Sequence, residues 1–420
     1  MWGARRLERS GLVAVASVAM ALELGPGKTF GDLEILSVLR KYPHAWVYKA
    51  RRPGASEPVA IKISLDPVRS EEQARRALRE VAVLEQLSNA HVIAVHGSGL
   101  GPGEHWYIEM EHLPGAQLNH WHDFDLPLPA ADAVSFVHQA CLGLAEIHAA
   151  GIVHRDLKPE RLWVMPDGTV KLLDFSSARS WGEGATADNV TVGVQTAGSP
   201  EYGAPAQAFG SELTPAADVY SLGVMLYEML TGHSPLFPAL EWSEARERHA
   251  GDPGAWMRAH ARIAPTPLTE HPGAAGLPER LATLVASTLS KDPKGRPADA
   301  AALANELGWI LHHELGAAQA AILEMRSDDD ERPRFALVLP GSHRLGTGPE
   351  ADLRLAEGGP ARVHAMLEWA GAPKPAELLP LAEGVSVDGA PVSERITLGP
   401  GARVRAGEVE LSLRYPKAKG

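Results

Sequence analysis

His154-Arg155-Asp156-Leu157-Lys158-Pro159-Glu160-Arg161, followed downstream by Asp174-Phe175, is the stretch on which the reading of this chain turns. It follows a helical pattern over Ala130–Ala150, where Val134, Val137, Cys141 and Leu144 keep a helical period, and it precedes the apolar strand Val170–Leu173. Two carboxylates, Asp156 and Asp174, thus stand at the margins of apolar elements.

Upstream the texture is strand-rich. From Thr29 to about Ala50 the pattern alternates through Leu33, Ile35, Val38, Val47 and Tyr48, and Pro58–Ile63 is a short apolar run carrying Lys62. Ser70–Leu87 then spaces Ala74, Leu78, Val81 and Leu84 as one face of an amphipathic helix. Val92–His96 and Trp106–His112 read as further strands. Downstream, helices dominate to about Leu315, including Asp218–Thr231, Glu279–Leu289 and Asp299–Leu315. A strand-rich lobe before a helix-rich lobe is an α+β arrangement.

The charged run Arg326–Arg334, with Asp328, Asp329, Asp330 and Glu331, reads as a linker. Beyond it, Phe335–Leu339, Asp352–Leu355, Val363–Trp369, Val385–Val387, Ala402–Arg405 and Val409–Arg414 predict short strands, with Asp388-Gly389 as a turn pair. The predicted architecture is an extension over 1–28, an α+β domain over 29–315, a linker over 316–333 and an all-β sandwich over 334–416.

Composition agrees with several folded domains. The chain has 420 residues, of which 45% are hydrophobic and 22% charged, so it is neither fibrous nor wholly disordered. A formal net charge of −12 excludes a general nucleic-acid or anionic-membrane binder. The single cysteine, Cys141, permits no internal disulfide and suits a reducing, cytoplasmic setting. At the N-terminus Arg5, Arg6 and Arg9 precede the apolar run Gly11–Leu22, which is short for a membrane span. It is expected to be an extension ahead of a start at Met20, with export as the alternative.

Val59-Ala60-Ile61-Lys62, His154-Arg155-Asp156-Leu157-Lys158-Pro159 and Asp174-Phe175, in that order, resemble the protein kinase family over roughly Thr29 to Leu315. The Gly198-Ser199-Pro200-Glu201-Tyr202 segment, Asp218 and Arg296 agree with it. The resemblance implies a bilobal fold and phosphoryl transfer, a chemistry of positioning and charge neutralisation. It makes Lys62 the phosphate-holding lysine, Glu80 its partner, Asp156 the acceptor of the hydroxyl proton, Lys158 a phosphate contact of the Ser/Thr branch and Asp174 the metal ligand. Val47, Ala60 and Met110, with Glu111 and Leu113, would surround an adenine. ATP and one Mg²⁺ at most are the implied cofactors, and Ser176, Ser177, Thr191, Thr196 and Ser199 are candidate phosphorylation sites.

Four departures bear on activity. Leu39-Arg40-Lys41-Tyr42-Pro43-His44-Ala45-Trp46 stands where the family has a glycine-rich loop, and it contains no glycine. Its basic residues are expected to form a solvated turn. Arg161 replaces the metal-binding asparagine; at an effective dielectric of ~20 and ~4 Å, a guanidinium and a divalent ion repel by roughly 8 kcal/mol, so Arg161 must swing away or displace that metal. Ser176 replaces a glycine after Asp174-Phe175, and Ala206 replaces the glutamate expected to pair with Arg296.

The segment Arg334–Pro416 resembles a forkhead-associated domain through Leu345-Gly346, Asp352-Leu353-Arg354-Leu355, Arg362-Val363-His364-Ala365, Val387-Asp388-Gly389 and Leu398-Gly399-Pro400-Gly401. Thr347, Ala361 and about Glu383 stand where that family carries its phosphothreonine-reading arginine, serine and asparagine. No phosphothreonine specificity is expected, and Arg344, Arg354 and Arg362 read as solvated surface. The leading expectation is a bacterial pseudokinase scaffold that docks protein partners and binds ATP. The alternative is an active Ser/Thr kinase with a non-standard metal site, and a third reading treats both domains as ligand-free interaction surfaces.

Overall fold

The structure, a computed structural model, describes residues 23–415 apart from 69–80, 86, 88, 122–124, 167, 176, 181–198, 210–213, 316–320, 328–333, 339–340, 348–350, 352, 356–361 and 371–373. The chain divides into two compact units, residues 1–78 with 96–112, and residues 79–95 with 113–420.

In the first unit, alternating apolar residues build a six-stranded sheet in the order Thr29–Phe30, Leu33–Lys41, Ala45–Arg51, Val59–Ser64, Trp106–Glu111, Val95–Leu100. Leu33, Ile35, Tyr48, Ile61 and Ile63 turn one way into a core closed by Phe30 and Trp46. The strand predicted at Val92–His96 begins later, at Val95; Val92 makes only an isolated bridge to Leu172. Of the predicted helix Ser70–Leu87, the described part is Val81–Leu84, and Glu80 lies outside the described residues.

The second unit is organised by the helices Ala130–Ala149 and Ala216–Thr231. Every residue of Ala216–Thr231 is buried, so this helix is the spine of its unit rather than an amphipathic face. It ends at Gly232, whose left-handed φ of 74° lets its N–H donate to the Glu228 carbonyl at 2.7 Å. A Cβ at this position would stand 2.4 Å from the Asp125 carbonyl oxygen, so only glycine fits. Glu279–Thr288 and Ala300–His313 fall where the periodicity places them, the latter capped by the Asp299 carboxylate accepting from Ala302 N–H at 2.8 Å.

The C-terminal region forms two sheets around one core, in the orders Arg334–Val338, Ala321–Ser327, Val409–Arg414, Arg403–Ala406, Val385–Val387, Ala390–Pro391 and Leu353–Arg354, Gly341–Thr347, Arg362–Trp369, Ala376–Pro380, Ile396–Leu398. Ala321–Ser327 corrects the predicted linker. It is a strand hydrogen-bonded to both Arg334–Val338 and Val409–Arg414, because Ala321, Leu323 and Met325 supply a buried alternating face. Asp388 and Gly389 both have positive φ, 50° and 82°, and form the predicted two-residue hairpin turn. Tyr415 joins the sheets: its hydroxyl accepts from Ala376 N–H at 2.8 Å and donates to the Leu398 carbonyl at 2.7 Å. Among the described residues, no helix is long and apolar enough to cross a membrane.

Candidate active site

In the first unit the register of Val59–Ser64 collects the predicted nucleotide-facing residues. Lys62 lies opposite Val47 and Ile108, and Ala60 opposite Met110. Period-two alternation therefore puts Val47, Ala60, Lys62 and Met110 on one face, with Ile61 and Ile63 on the other. Glu111 ends the strand Trp106–Glu111; it and Leu113 are half-buried.

The glycine-free hairpin keeps Arg40, Lys41, Pro43 and His44 exposed, as a solvated turn would, and its backbone is hydrogen-bonded. Tyr42 N–H donates to the Ala45 carbonyl at 2.9 Å, Pro43 has no N–H, and the His44 carbonyl accepts from Leu65 N–H at 2.9 Å. The Lys41 ammonium lies 3.9 Å from the centre of the Trp46 ring. Two cations approach the Tyr42 ring, the Arg40 guanidinium at 5.2 Å and the Lys62 ammonium at 5.3 Å from its centre. An anion approaching Lys62 must compete with this ring. Tyr42→Gly is expected to tighten binding of a fluorescent ATP analogue by about threefold, the equivalent of one cation–π contact. An unchanged or weaker affinity would contradict this role.

In the second unit the buried carboxylate of Asp218 organises the loop before Asp156. Its Oδ2 accepts from His154 N–H at 2.7 Å and from His148 Nε2 at 3.0 Å, and its Oδ1 accepts from Arg155 N–H at 2.9 Å. Burial pushes the Asp218 carboxyl up, but His148 and the remaining hydrogen bonds outweigh it and hold the group below its ordinary value. Arg155 has a left-handed φ of 71°, a conformation unfavourable for a non-glycine residue that these bonds fix in place. His154 donates from Nε2 to the Leu173 carbonyl at 3.2 Å, tying this loop to the one carrying Asp174.

Arg161 does not swing away. Its guanidinium lies between the two carboxylates, with Nη2 and Nε donating to Asp156 Oδ2 at 2.6 and 3.2 Å and Nη1 donating to Asp174 Oδ2 at 2.6 Å. Arg161 is buried, and the side chains of Asp156 and Asp174 are only 7% and 13% exposed. The other Asp156 oxygen is engaged as well: Oδ1 accepts from Ser199 N–H at 2.9 Å and from its hydroxyl at 3.3 Å. Lys158 Nζ donates to the Ser199 hydroxyl at 2.6 Å.

These residues do not fit the divalent ion that the resemblance implies. Among the described residues no three His, Cys, Asp or Glu side chains converge as metal ligands. The position expected to offer a neutral oxygen offers a cation already bonded to both acids. Arg161 thus neutralises charge where the family uses metal, but it cannot bridge phosphate oxygens as a Lewis acid does.

Arg296 lacks the glutamate partner, as position 206 implies, yet it is well held. It donates to the carbonyls of Ser290, Ala216 and Lys291 at 2.7, 2.8 and 3.2 Å and lies 4.7 Å from the centre of the Tyr220 ring. Burial lowers its pKa to about 10.

Two buried pairs escaped the sequence reading. The Tyr202 hydroxyl donates to Glu228 Oε2 at 2.9 Å, and burial raises the Glu228 carboxyl well above its ordinary range. His260 accepts from the Tyr220 hydroxyl at Nδ1 and donates from Nε2 to the Glu201 carbonyl, both at 2.9 Å, which fixes one neutral tautomer. The only available signal was polar residues set into apolar helical runs. Burial pushes the His260 pKa down to about 3. Because the unfolded chain takes up this proton near the ordinary histidine value and the folded chain does not, stability falls as pH drops below about 6.5. Each pH unit down to about 3 removes up to about 1.4 kcal/mol through this residue. Denaturant melts of His260→Gln should show a shallower acid slope than wild type; an equal slope would show that His260 does not set it.

Among the candidate phosphorylation sites, Ser177 and Ser199 are described, whereas Ser176, Thr191 and Thr196, like Glu80, Gly198 and Ala361, lie outside the described residues.

A family profile described as "Protein kinase domain" matches residues 44–309. The serine/threonine-protein kinase PknL of Mycobacterium tuberculosis (strain ATCC 25618 / H37Rv) is 33% identical over 265 residues, covering 63% of this chain and 62% of PknL. Serine/threonine-protein kinase pkn3 of Myxococcus xanthus is 29% identical over 319 residues, covering 73% of this chain and 54% of pkn3. The chain thus spans less than two thirds of these relatives. In fold, the crystal structure of the Mycobacterium tuberculosis PknI kinase domain, a point mutant, matches with a TM-score of 0.50 at 23% identity, covering 68% of this chain and 98% of that domain. With more than half of its length matched by the family profile and the kinase fold in place, the chain belongs to the protein kinase family.

Proposed function

We propose that this chain is a signalling protein of the kinase family whose phosphotransfer is suppressed and which works as a pseudokinase scaffold or regulator. The observation that carries this reading is the Arg161 guanidinium bonded to both Asp156 and Asp174. One acid is the proton acceptor and the other the metal ligand that the reaction needs, and both are committed to the same cation. The Lys62 face, with Val47, Ala60 and Met110, supports weak nucleotide binding without turnover.

One observation favours the alternative, an active Ser/Thr kinase: the Lys158, Ser199 and Asp156 bonds form an ordered substrate-side arrangement. Labelled ATP with Mg²⁺ or Mn²⁺ separates the two. The proposal expects no incorporation above that of Asp156→Asn, and incorporation abolished by Asp156→Asn would overturn it.

For the C-terminal sheets we propose a degenerate forkhead-associated module that contacts protein rather than phosphothreonine. Support comes from Thr347 and Glu383 at the positions expected to grip phosphate, and from the exposed Arg344. Micromolar, phosphate-dependent binding of phosphothreonine peptides in calorimetry would overturn it. The single buried Cys141 supports a cytoplasmic location.

A further inference from the structure

Position 206 is alanine, so Arg296 cannot hold the segment 199–204 through an ion pair at that position. The segment nonetheless has a fixed place, and it matters to the site because Ser199 makes two bonds to Asp156 Oδ1. Its support comes from a helix more than fifty residues downstream.

That helix, Pro253–Arg262, follows a cap at Asp252, whose carboxylate accepts from Ala255 N–H at 3.0 Å. Helical spacing turns Trp256, Ala259 and His260 to its buried side, and Trp256 packs edge-on against Phe237 with ring centres 5.0 Å apart. His260 is 1% exposed, so its bonds are made away from water. A carbonyl can only accept; the 2.9 Å contact to the Glu201 carbonyl therefore puts the ring proton on Nε2, and the Tyr220 hydroxyl donates to Nδ1. The Lys291 ammonium donates in turn to the Tyr220 oxygen at 3.4 Å, and the Arg296 guanidinium lies against the same ring. Donors thus run in one direction, from Lys291 through Tyr220 and His260 to the Glu201 carbonyl, each bond polarising the next. Beyond Glu201 the segment is steadied by Ser221, whose hydroxyl donates to the Tyr202 carbonyl at 2.9 Å. Gln207 adds two bonds at 2.8 Å, accepting from Ala204 N–H and donating to the Arg155 carbonyl.

We propose that His260 is a positioning residue: its bond to the Glu201 carbonyl holds Ser199 against Asp156 and so keeps that carboxylate where Arg161 clamps it. The inference rests on reading the clamp as the suppressed state of the site, and it names a buried residue, distant in sequence from both acids, on which that state leans.

Hydrogen–deuterium exchange of the full chain, read by mass spectrometry, tests this. In His260→Leu, the amides of residues 199–204 should exchange at least about tenfold faster than in wild type, while those of Ala130–Ala149 keep their protection. Tyr220→Phe, which keeps a ring for Arg296, should speed the same amides about threefold and carries the test if His260→Leu does not fold. His260→Gln can still donate to Glu201 and accept from Tyr220, and it should exchange like wild type. Unchanged exchange over residues 199–204 in His260→Leu, or in Tyr220→Phe where it stands in, would overturn the proposal. So would an equal rise in Ala130–Ala149, or a rise in His260→Gln as large as that in the apolar variant, since loss of packing would then account for it. Exchange is read without turnover, so phosphate incorporation by wild type would overturn the suppressed reading without altering this pattern.

Discussion

Arg161→Asn should convert a chain that transfers little or no phosphate into one that does, with a gain of at least about tenfold that depends on Mg²⁺ or Mn²⁺. The reason lies in what the guanidinium now does. It satisfies two carboxylates in a nearly dry pocket, and removing it restores a neutral oxygen at position 161 and frees Asp174 Oδ2 and Asp156 Oδ2. The same substitution should cost about 3–5 kcal/mol of stability in chelator, because two buried acids then lose the guanidinium they share. Added Mg²⁺ should recover much of that loss. Wild type should show no such metal response in a thermal melt, and a wild-type midpoint that rises with Mg²⁺ as steeply as the variant's would count against the argument.

Asp218→Ala should be the most damaging substitution outside the apolar core, lowering stability by about 3–5 kcal/mol. It orphans the buried amide of His154, the half-buried amide of Arg155 and the His148 imidazole at once. Arg155 would then lose the bond that maintains its left-handed backbone, and the Asp156 loop would lose its position with it. Asp218→Asn keeps an oxygen acceptor and should cost less. The Asp218 carboxyl sits below its ordinary value in the fold, so its contribution is present above about pH 4 and is lost as pH falls through the folded value. A denaturant midpoint shift below about 1 kcal/mol for Asp218→Ala would show that the loop is held by other means.

Much of this architecture was legible from periodicity. The buried helix Ala216–Thr231, the strands Val385–Val387 and Val409–Arg414, and the Asp388-Gly389 hairpin follow from patterns that local sterics and burial enforce. Ala321–Ser327 was hidden because a charged run follows it immediately, and Gly341–Thr347 because Leu345 is the only one of its described side chains that is fully buried. Ala321–Ser327 also pairs with the distant Val409–Arg414, a partner that local pattern does not encode.

At the site, residue type predicted the conflict between Arg161 and a metal but left two outcomes open. Choosing between them needed the geometry, because one guanidinium reaching both Asp156 and Asp174 depends on how two loops are held. The hairpin shows the same limit: its lack of glycine was plain, whereas the approach of Arg40 and Lys62 to the Tyr42 ring required the register. Arg296 taught the converse, since a missing glutamate was made good by three backbone carbonyls and a tyrosine ring.

The most direct test of a guanidinium standing in for metal is Mn²⁺ binding, followed by electron paramagnetic resonance, on wild type and Arg161→Asn in the presence of a non-hydrolysable ATP analogue. With wild type the Mn²⁺ signal should stay that of its complex with the nucleotide in solution, and with Arg161→Asn it should pass into a protein-bound signal. Equal, stoichiometric binding to both proteins would show that Arg161 yields to the metal, and the kinase site would then have to be read as competent.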